Sequence, residues 1–172
     1  MGYRRLRVPG ATYFFTLVLQ DRNASLLTDH IDTLRSAMVA VKRLYPVRID
    51  GLVVLPEHLH MVWTLPCGDS DYSTRISMLK SLFSKSLPLP RDRTSSQQKR
   101  EDKGIWQRRF WEHWIRDELD FHRHIDYVHI NPVKHGLVAQ ANQWPYSSIH
   151  QYIREGSLPP NWAADMPLME HD

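Results

Sequence analysis

The chain has 172 residues, 42% of them hydrophobic and 24% charged, a balance typical of one folded domain and not of a disordered segment. A single cysteine excludes an internal disulfide and a cysteine-based zinc site, and no apolar run approaches the roughly 18 residues that span a membrane. Since no secretory signal is recognisable either, we expect a cytoplasmic protein.

Basic residues are unevenly distributed, although the net charge is only +3. Arg4, Arg5 and Arg7 crowd the N-terminus, and residues 80–110 hold nine lysines or arginines against three acids. This distribution favours a polyanionic partner, and the six Trp and seven Tyr suit a surface that stacks on nucleobases. The alternative is an ordinary solvated face, with the aromatic residues in the core.

The first half of the chain predicts a strand, a helix and a hairpin. Residues 11–19 (ATYFFTLVL) are β-branched and aromatic and predict a buried strand. Thr28 and Asp29 are predicted to cap a helix that runs to about Tyr45, with apolar positions spaced by three and four. Residues 48–55 and 58–65 predict two strands joined by a Pro-Glu turn.

The second half predicts two helices separated by a long connection. A helix begins at about Asp71, and the polar, basic residues 88–104 form the clearest loop. Residues 105–116 are strand-like or irregular, and a helix over residues 117–131 is interrupted by Pro132.

The order of these elements indicates the fold class. The first six follow the order βαββαβ, which predicts an α+β, ferredoxin-like fold: one antiparallel sheet with helices on one face, followed by a C-terminal helix. We expect one domain over residues 1–150 and a partly disordered tail over residues 151–172.

Two histidines form the first candidate site. His58 and His60 are two residues apart on a predicted strand, so both imidazoles project from the same face of the sheet. Two neutral imidazoles on one face provide half of a divalent-metal site. The alternative is an ordinary polar face with two hydrogen-bonded histidines.

A tyrosine and an asparagine form the second candidate site. Tyr127 and Asn131 are four residues apart and would share one face of the last helix. Pro132 disfavours helical geometry at Asn131, which weakens this argument. On its pattern alone, Tyr127 is equally compatible with a packed aromatic whose hydroxyl is hydrogen-bonded.

Several segments resemble a known family. VVLPEHLHMVWTLP, IWQRRFWEHWIRDELDFHRHIDYVHINPVKHGLV and WPYSS are similar to segments of the REP-associated tyrosine transposases, a branch of the single-tyrosine HUH transposases. The opening YRRLRVPGATYFFTLVLQDR is similar as well, so the resemblance spans about residues 3–164.

This resemblance implies a site and a substrate. Tyr127 would be the nucleophile, His58 and His60 would bind the metal, and Asn131, four residues after the tyrosine, would complete the metal site. The implied cofactor is Mg²⁺ or Mn²⁺. The implied substrate is single-stranded DNA with repetitive extragenic palindromic (REP) hairpins, cut and rejoined through a 5′-phosphotyrosine. The implied protein is bacterial, nucleoid-associated and monomeric, with a dimer left open.

Three short segments are candidates for DNA contact. One precedes the first strand, where the family reads its guide nucleotides; one combines cations with an aromatic ring; and one follows the tyrosine helix, where it could touch phosphate. The alternatives are surface charge and core packing. The candidates are Arg4, Arg5, Trp106, Arg108, Arg109, Lys134 and His135.

Other functions stay open. A hairpin-binding protein without catalysis would have no need of His58, His60 and Tyr127 together. A ferredoxin-like RNA-binding module would instead present aromatic residues on its central strands, and a metal-dependent hydrolase that uses water would not need Tyr127. His124, one turn before Tyr127, could assist the phenol, but we favour a structural or DNA-contacting role for it.

Overall fold

A computed structural model describes residues 5–88, 94–96 and 103–164. Within these ranges, four strands form one sheet in the order β2-β3-β1-β4, and all neighbouring strands are antiparallel. This topology confirms the predicted α+β fold. The strands are β1 (Thr12–Val18), β2 (Arg48–Val54), β3 (His58–Thr64) and β4 (Trp111–Ile115).

Helices cover both faces of this sheet. Two long helices pack on one face, against alternate residues of β1 such as Tyr13 and Phe15. The helix that carries the tyrosine packs on the opposite face, where Ile125 and Val128 meet Phe14. None of the described helices is long and apolar enough to cross a membrane. The helices are α1 (Leu26–Asp29), α2 (Ile31–Leu44), α3 (Tyr72–Lys85), α4 (Glu118–Lys134) and α5 (Ile149–Arg154), with a 3-10 turn at Ala141–Gln143.

The helix predicted from residue 28 is divided in two. Asp29 does not cap α2, because its carboxylate accepts a hydrogen bond from Ser25 Oγ at 2.6 Å. The short α1 ends there, and α2 begins two residues later. By contrast, α3 begins as predicted, because Asp71 accepts a hydrogen bond from the Thr74 N–H at 3.0 Å and caps its first turn.

The prediction that Pro132 interrupts the last helix is wrong. The helix α4 continues to Lys134, although Pro132 has no N–H to donate to the carbonyl four residues earlier; only two residues of the helix follow the proline. The turn closes through the His135 N–H, which donates to the Asn131 carbonyl at 3.0 Å, and Gly136 with φ +70° ends the helix. Asn131 therefore keeps helical geometry on the same side of α4 as Tyr127.

The chain after α4 lies along the edge strand β2. Trp144 Nε1 donates to the Val54 carbonyl at 2.9 Å, and the Tyr152 hydroxyl donates to the Asp50 carbonyl at 2.6 Å. The helix α5 crosses residue 150, the predicted boundary between domain and tail. Residues 165–172 of the predicted tail lie outside the described residues.

The predicted loop over residues 88–104 falls mostly outside the described residues, but Lys103, near its C-terminal end, is described and is held by hydrogen bonds. Lys103 Nζ donates to the carbonyls of Ser84, Lys85 and Leu87 at 2.7, 2.8 and 3.1 Å. Carbonyls at a helix C-terminus lack partners within the helix, so this ammonium ties the returning chain to the end of α3.

Candidate active site

The two histidines lie side by side on β3, under α4. Both are buried, and their ring centroids are 4.9 Å apart. His58 Nδ1 lies 2.5 Å from a carboxylate oxygen of Glu57, and His60 Nδ1 lies 2.8 Å from the Thr16 hydroxyl. With Nδ1 engaged in each ring, Nε2 is the nitrogen that remains for a ligand.

Among the residues that the structure describes, two side chains of the predicted metal site have buried polar atoms that lack a hydrogen-bond partner. They are His60, through Nε2, and Asn131, through both its amide oxygen and its amide nitrogen. A buried polar atom without a partner is energetically costly, and such atoms usually have one. Imidazole nitrogens with an amide oxygen form a donor set that accepts a divalent cation, so these residues fit the metal that the resemblance implies.

The environment of His60 keeps its ring neutral. Burial, followed by the neighbouring charges of His58, His135 and Lys134, lowers the pKa of His60 to about 3. A histidine must be unprotonated to coordinate a metal. At neutral pH the His60 ring is therefore uncharged, the form that can coordinate a metal.

Tyr127 lies against this pair. Its half-buried ring is 5.2 Å from His60 and 5.8 Å from Phe14, measured between centroids. On another side, Lys134 Nζ lies 4.7 Å from the centroid of the tyrosine ring. The structure thus brings together the predicted nucleophile and the predicted metal-binding histidines, which are far apart in sequence.

Two of the DNA-contact candidates also lie at this site. Besides Lys134, the exposed His135 has its ring centroid 5.0 Å from that of His58. Lys134 is the last residue of α4 and His135 is the next one, so both lie where this helix ends beside the histidine pair. A phosphate group that reached Tyr127 would therefore approach two potentially cationic side chains.

The DNA-contact candidates near the N-terminus and in residues 106–109 do not share one environment. Arg4 lies outside the described residues, and Arg5 is half-buried, with its guanidinium 3.8 Å from the Phe110 ring centroid. Trp106 is only 7% exposed; its indole N–H donates to the Lys80 carbonyl at 3.2 Å. This indole is part of the core in the structure and not an open stacking surface. Arg108 and Arg109 are both exposed.

A second group of possible metal ligands lies on the same face of the sheet. His113 Nε2 is 2.8 Å from Asp120 Oδ2, and His124 Nδ1 is 3.1 Å from Asp120 Oδ1. The potential ligand atoms of these residues all lie within 4.8 Å of one another, a spacing that could hold a metal ion. We call this group the His113–Asp120–His124 cluster.

The spacing of Asp120 and His124, one helical turn apart, is visible in the sequence. The contribution of His113 is not, because it comes from β4 and meets α4 only in the folded chain. Burial of Asp120 opposes ionisation, yet hydrogen bonds from His113 and the Arg116 N–H, with the charges of His113 and His124, leave its pKa below the usual value.

Comparisons with known proteins place the chain in a family. No family model matches it. It is 44% identical to the REP-associated tyrosine transposase of Escherichia coli K12 over 164 residues, 95% of this chain and 92% of that protein. It is also 44% identical, over 168 residues, to a protein of Haemophilus influenzae named for the same family, covering 97% and 96% of the two chains.

A solved structure agrees with these relatives. The structure of a REP-associated tyrosine transposase bound to a REP hairpin superposes with a TM-score of 0.84 at 42% identity, over 100% of this chain and 98% of that one. Identity and coverage of this extent, together with the shared fold, show that the chain belongs to the REP-associated tyrosine transposases, a family of enzymes.

Proposed function

We propose that the chain is a metal-dependent endonuclease and strand transferase that acts on single-stranded DNA with REP-type hairpins through Tyr127. The observation that carries this proposal is the tyrosine ring 5.2 Å from His60, a buried imidazole whose Nε2 has no hydrogen-bond partner within the described parts of the chain. The relative of known structure that is bound to a REP hairpin supports the choice of substrate.

The metal would be held by His58, His60 and Asn131. Two imidazole nitrogens and one amide oxygen leave coordination positions for the substrate, and this set suits Mn²⁺ or Mg²⁺. When bound, the cation would neutralise charge on the phosphoryl oxygens. The chain's own part is to hold each imidazole by its Nδ1, through Glu57 and Thr16.

The reaction of Tyr127 is a phosphodiester transfer. The phenol oxygen forms a bond to phosphorus as the bond from phosphorus to the 3′ oxygen breaks, which gives a 5′-phosphotyrosine and a free 3′-OH. Lys134, whose ammonium lies 4.7 Å from the centroid of the tyrosine ring, is a cation that would attract the phosphate under attack. Attack by a second 3′-OH reverses the step and joins strands, because the number of phosphodiester bonds is conserved.

A covalent adduct tests this mechanism. A REP hairpin with single-stranded flanks, labelled at one end, is incubated with the protein and Mn²⁺, and the products are separated under denaturing conditions. We expect a protein–DNA adduct from the wild type and none from Tyr127→Phe, although the variant still binds the hairpin. Tyr45→Phe, at an exposed tyrosine remote from the site, should behave as the wild type.

Two results would contradict the proposal. An adduct formed by Tyr127→Phe would show that another residue is the nucleophile. A wild-type protein that binds the hairpin tightly but never cleaves it, with either metal, would indicate a non-catalytic hairpin-binding protein derived from a transposase.

A further inference from the structure

One tryptophan is placed unlike the others. Trp111, on β4, is 61% exposed, and it lies directly opposite Thr16 of β1, which in turn lies opposite His60 of β3. Directly opposite residues of antiparallel strands point to the same face. Trp111 therefore lies on the face that carries the histidine pair, two strands or about 10 Å from His60 along the sheet.

The tryptophan forms one wall of a groove that reaches the tyrosine. The groove has a volume of about 360 Å³, and both the sheet and α4 contribute to its walls. Single exposed hydrophobic residues are common and need no explanation. Trp111 differs from the equally exposed Leu119 because it lines this groove beside the predicted nucleophile. The lining residues are Phe14, Thr16, Trp111, Arg123, His124 and Tyr127.

The polar groups of this groove suit a nucleotide. Arg123 is exposed, and no carboxylate pairs with it in the part of the chain that the structure describes. The Nδ1 of His124 lies 2.8 Å from the Asp120 carbonyl oxygen, so its Nε2 is the nitrogen left for a ligand. A flat indole, a free guanidinium and an imidazole nitrogen match the ring, the phosphate and the polar edge of a nucleotide.

We propose that the Trp111 groove binds a nucleotide next to the scissile phosphate, with its base stacked on Trp111 and its phosphate near Arg123. This inference rests on the proposed function, because it assigns a further part of the same substrate. The base must be unpaired, since bases within a duplex are stacked on each other and cannot present a free face to a side chain. The occupant is therefore the single-stranded flank and not the hairpin stem.

Equilibrium binding of flanked hairpins tests this assignment without depending on cleavage. A REP hairpin with single-stranded flanks is compared with versions in which each flank nucleotide in turn lacks its base. We expect Trp111→Ala to weaken binding of the intact oligonucleotide roughly 5- to 100-fold, the range for loss of one base–aromatic stack. One abasic position should weaken wild-type binding to a similar extent and have little further effect on Trp111→Ala.

Two variants and one truncated probe complete the design. Trp111→Phe keeps an aromatic face and should retain most of the affinity and the sensitivity to the abasic position. Leu119→Ala, at a similarly exposed residue outside the groove, should match the wild type. Both Trp111 variants should bind a hairpin without flanks as the wild type does, which also shows that they are folded.

The outcomes separate this inference from the proposed function. If the wild type binds and cleaves the flanked hairpin while Trp111→Ala matches it at every abasic position, the stacking site is wrong and the proposed function stands. If the wild type binds no flanked hairpin, both are overturned.

Discussion

The two site histidines depend on hydrogen bonds from residues that are not ligands themselves. Glu57 accepts the Nδ1 proton of His58, and Thr16 faces the Nδ1 of His60. The Glu57 carboxylate, which can only accept, selects the His58 tautomer in which Nε2 carries the lone pair, and both contacts fix the orientation of their ring. Of the two partners, Glu57 is the more informative to change, because it is a charged side chain whereas Thr16 is neutral.

We predict that Glu57→Gln weakens binding of Mn²⁺ by 10- to 100-fold, the usual effect of changing a residue that supports a metal ligand. An amide at this position can still accept a hydrogen bond but carries no charge. Titration of the metal by calorimetry, or by its effect on adduct formation, measures the change. Glu118→Gln is the matched control, because Glu118 lies 3.5 Å from His122 on the exposed side of α4. Equal metal affinity in wild type and Glu57→Gln would refute the prediction.

At this scale, part of the site could be predicted from the sequence. Strand alternation alone places His58 and His60 on one face, because the side-chain period of a strand is two. The contact between Thr16 and His60 joins residues 44 positions apart through the register of β1 and β3, which no local pattern reveals. The position of Tyr127 likewise depends on how α4 crosses the sheet.

The helix that carries Tyr127 approaches the sheet closely at one residue. A Cβ atom on Gly51 of β2 would lie 2.8 Å from Ile125 Cδ1 of α4, closer than such atoms normally come. The register of β2 shifts between Ile49 and Gly51, but the φ of Gly51 is not in the left-handed region, so the glycine is explained by this approach. Because Ile125 is only 4% exposed, its methyl group has little space into which it can move.

We predict that Gly51→Ala destabilises the protein by about 1 kcal/mol, the lower end of the range for adding a methyl group to a packed core. Ile125→Val removes the atom that would clash, so the double variant should be more stable than the sum of the two single effects indicates. Thermal unfolding of all four proteins measures the coupling. Strictly additive effects would show that the Cβ is accommodated elsewhere.

Asp71, the N-cap of α3, should stabilise the protein to an extent that depends on pH. The Thr74 hydroxyl and, next, the Thr74 N–H donate to the Asp71 carboxylate and lower its pKa below the usual value of 3.8. We predict that Asp71→Ala lowers the free energy of unfolding by about 1 kcal/mol at neutral pH, the usual effect of losing an N-cap. Asp71→Asn, which can also cap, should retain most of the stability.

The difference in the free energy of unfolding between the wild type and Asp71→Ala should decrease as the pH falls. Because the folded-state pKa of Asp71 is lowered, its contribution is complete above the unfolded pKa of about 3.8 and is lost as the pH falls through the folded pKa. Unfolding in urea at several pH values measures this. A difference that grows as the pH falls would contradict the assignment.

For the secondary-structure elements, the sequence predicted which helices and strands exist, and in what order, better than it predicted where each one begins and ends. The order βαββαβ and the hairpin follow from periodicity and turn residues, and the structure confirms them. The two errors have local causes: Asp29 is engaged by Ser25 and cannot cap α2, and Pro132 lies so near the end of α4 that the helix tolerates it. Neither could be inferred without knowing which side-chain contact or which turn ends the helix.

The folded molecule places two possible metal-binding groups on one face of its sheet. The ring of Phe14 separates them, with its centroid 5.4 Å from that of His60 and 4.9 Å from that of His124. In the His113–Asp120–His124 cluster, His113 Nε2 and His124 Nδ1 already have hydrogen-bond partners, the first a carboxylate oxygen of Asp120 and the second the Asp120 carbonyl. In the predicted metal site, His60 Nε2 and the Asn131 amide have no hydrogen-bond partner among residues 5–88, 94–96 and 103–164. A metal held by His58, His60 and Asn131 through these unpartnered atoms would displace no existing hydrogen bond, so we expect it to bind there and not in the His113–Asp120–His124 cluster.

This difference in hydrogen bonding between the two groups predicts which variants lose stabilisation by metal. A ligand that binds only the folded state adds about 2.7 kcal/mol at one hundred times its Kd, which raises Tm by roughly 5–10 °C in a domain of this size. We expect Mn²⁺ to raise the Tm of the wild type, of His113→Ala and of His122→Ala, an exposed control. Addition of Mn²⁺ should leave the Tm of His60→Ala unchanged, even if the substitution itself alters the Tm measured without metal. If His113→Ala loses the increase and His60→Ala keeps it, the metal binds the His113–Asp120–His124 cluster, and the proposed roles of His58, His60 and Asn131 must be abandoned.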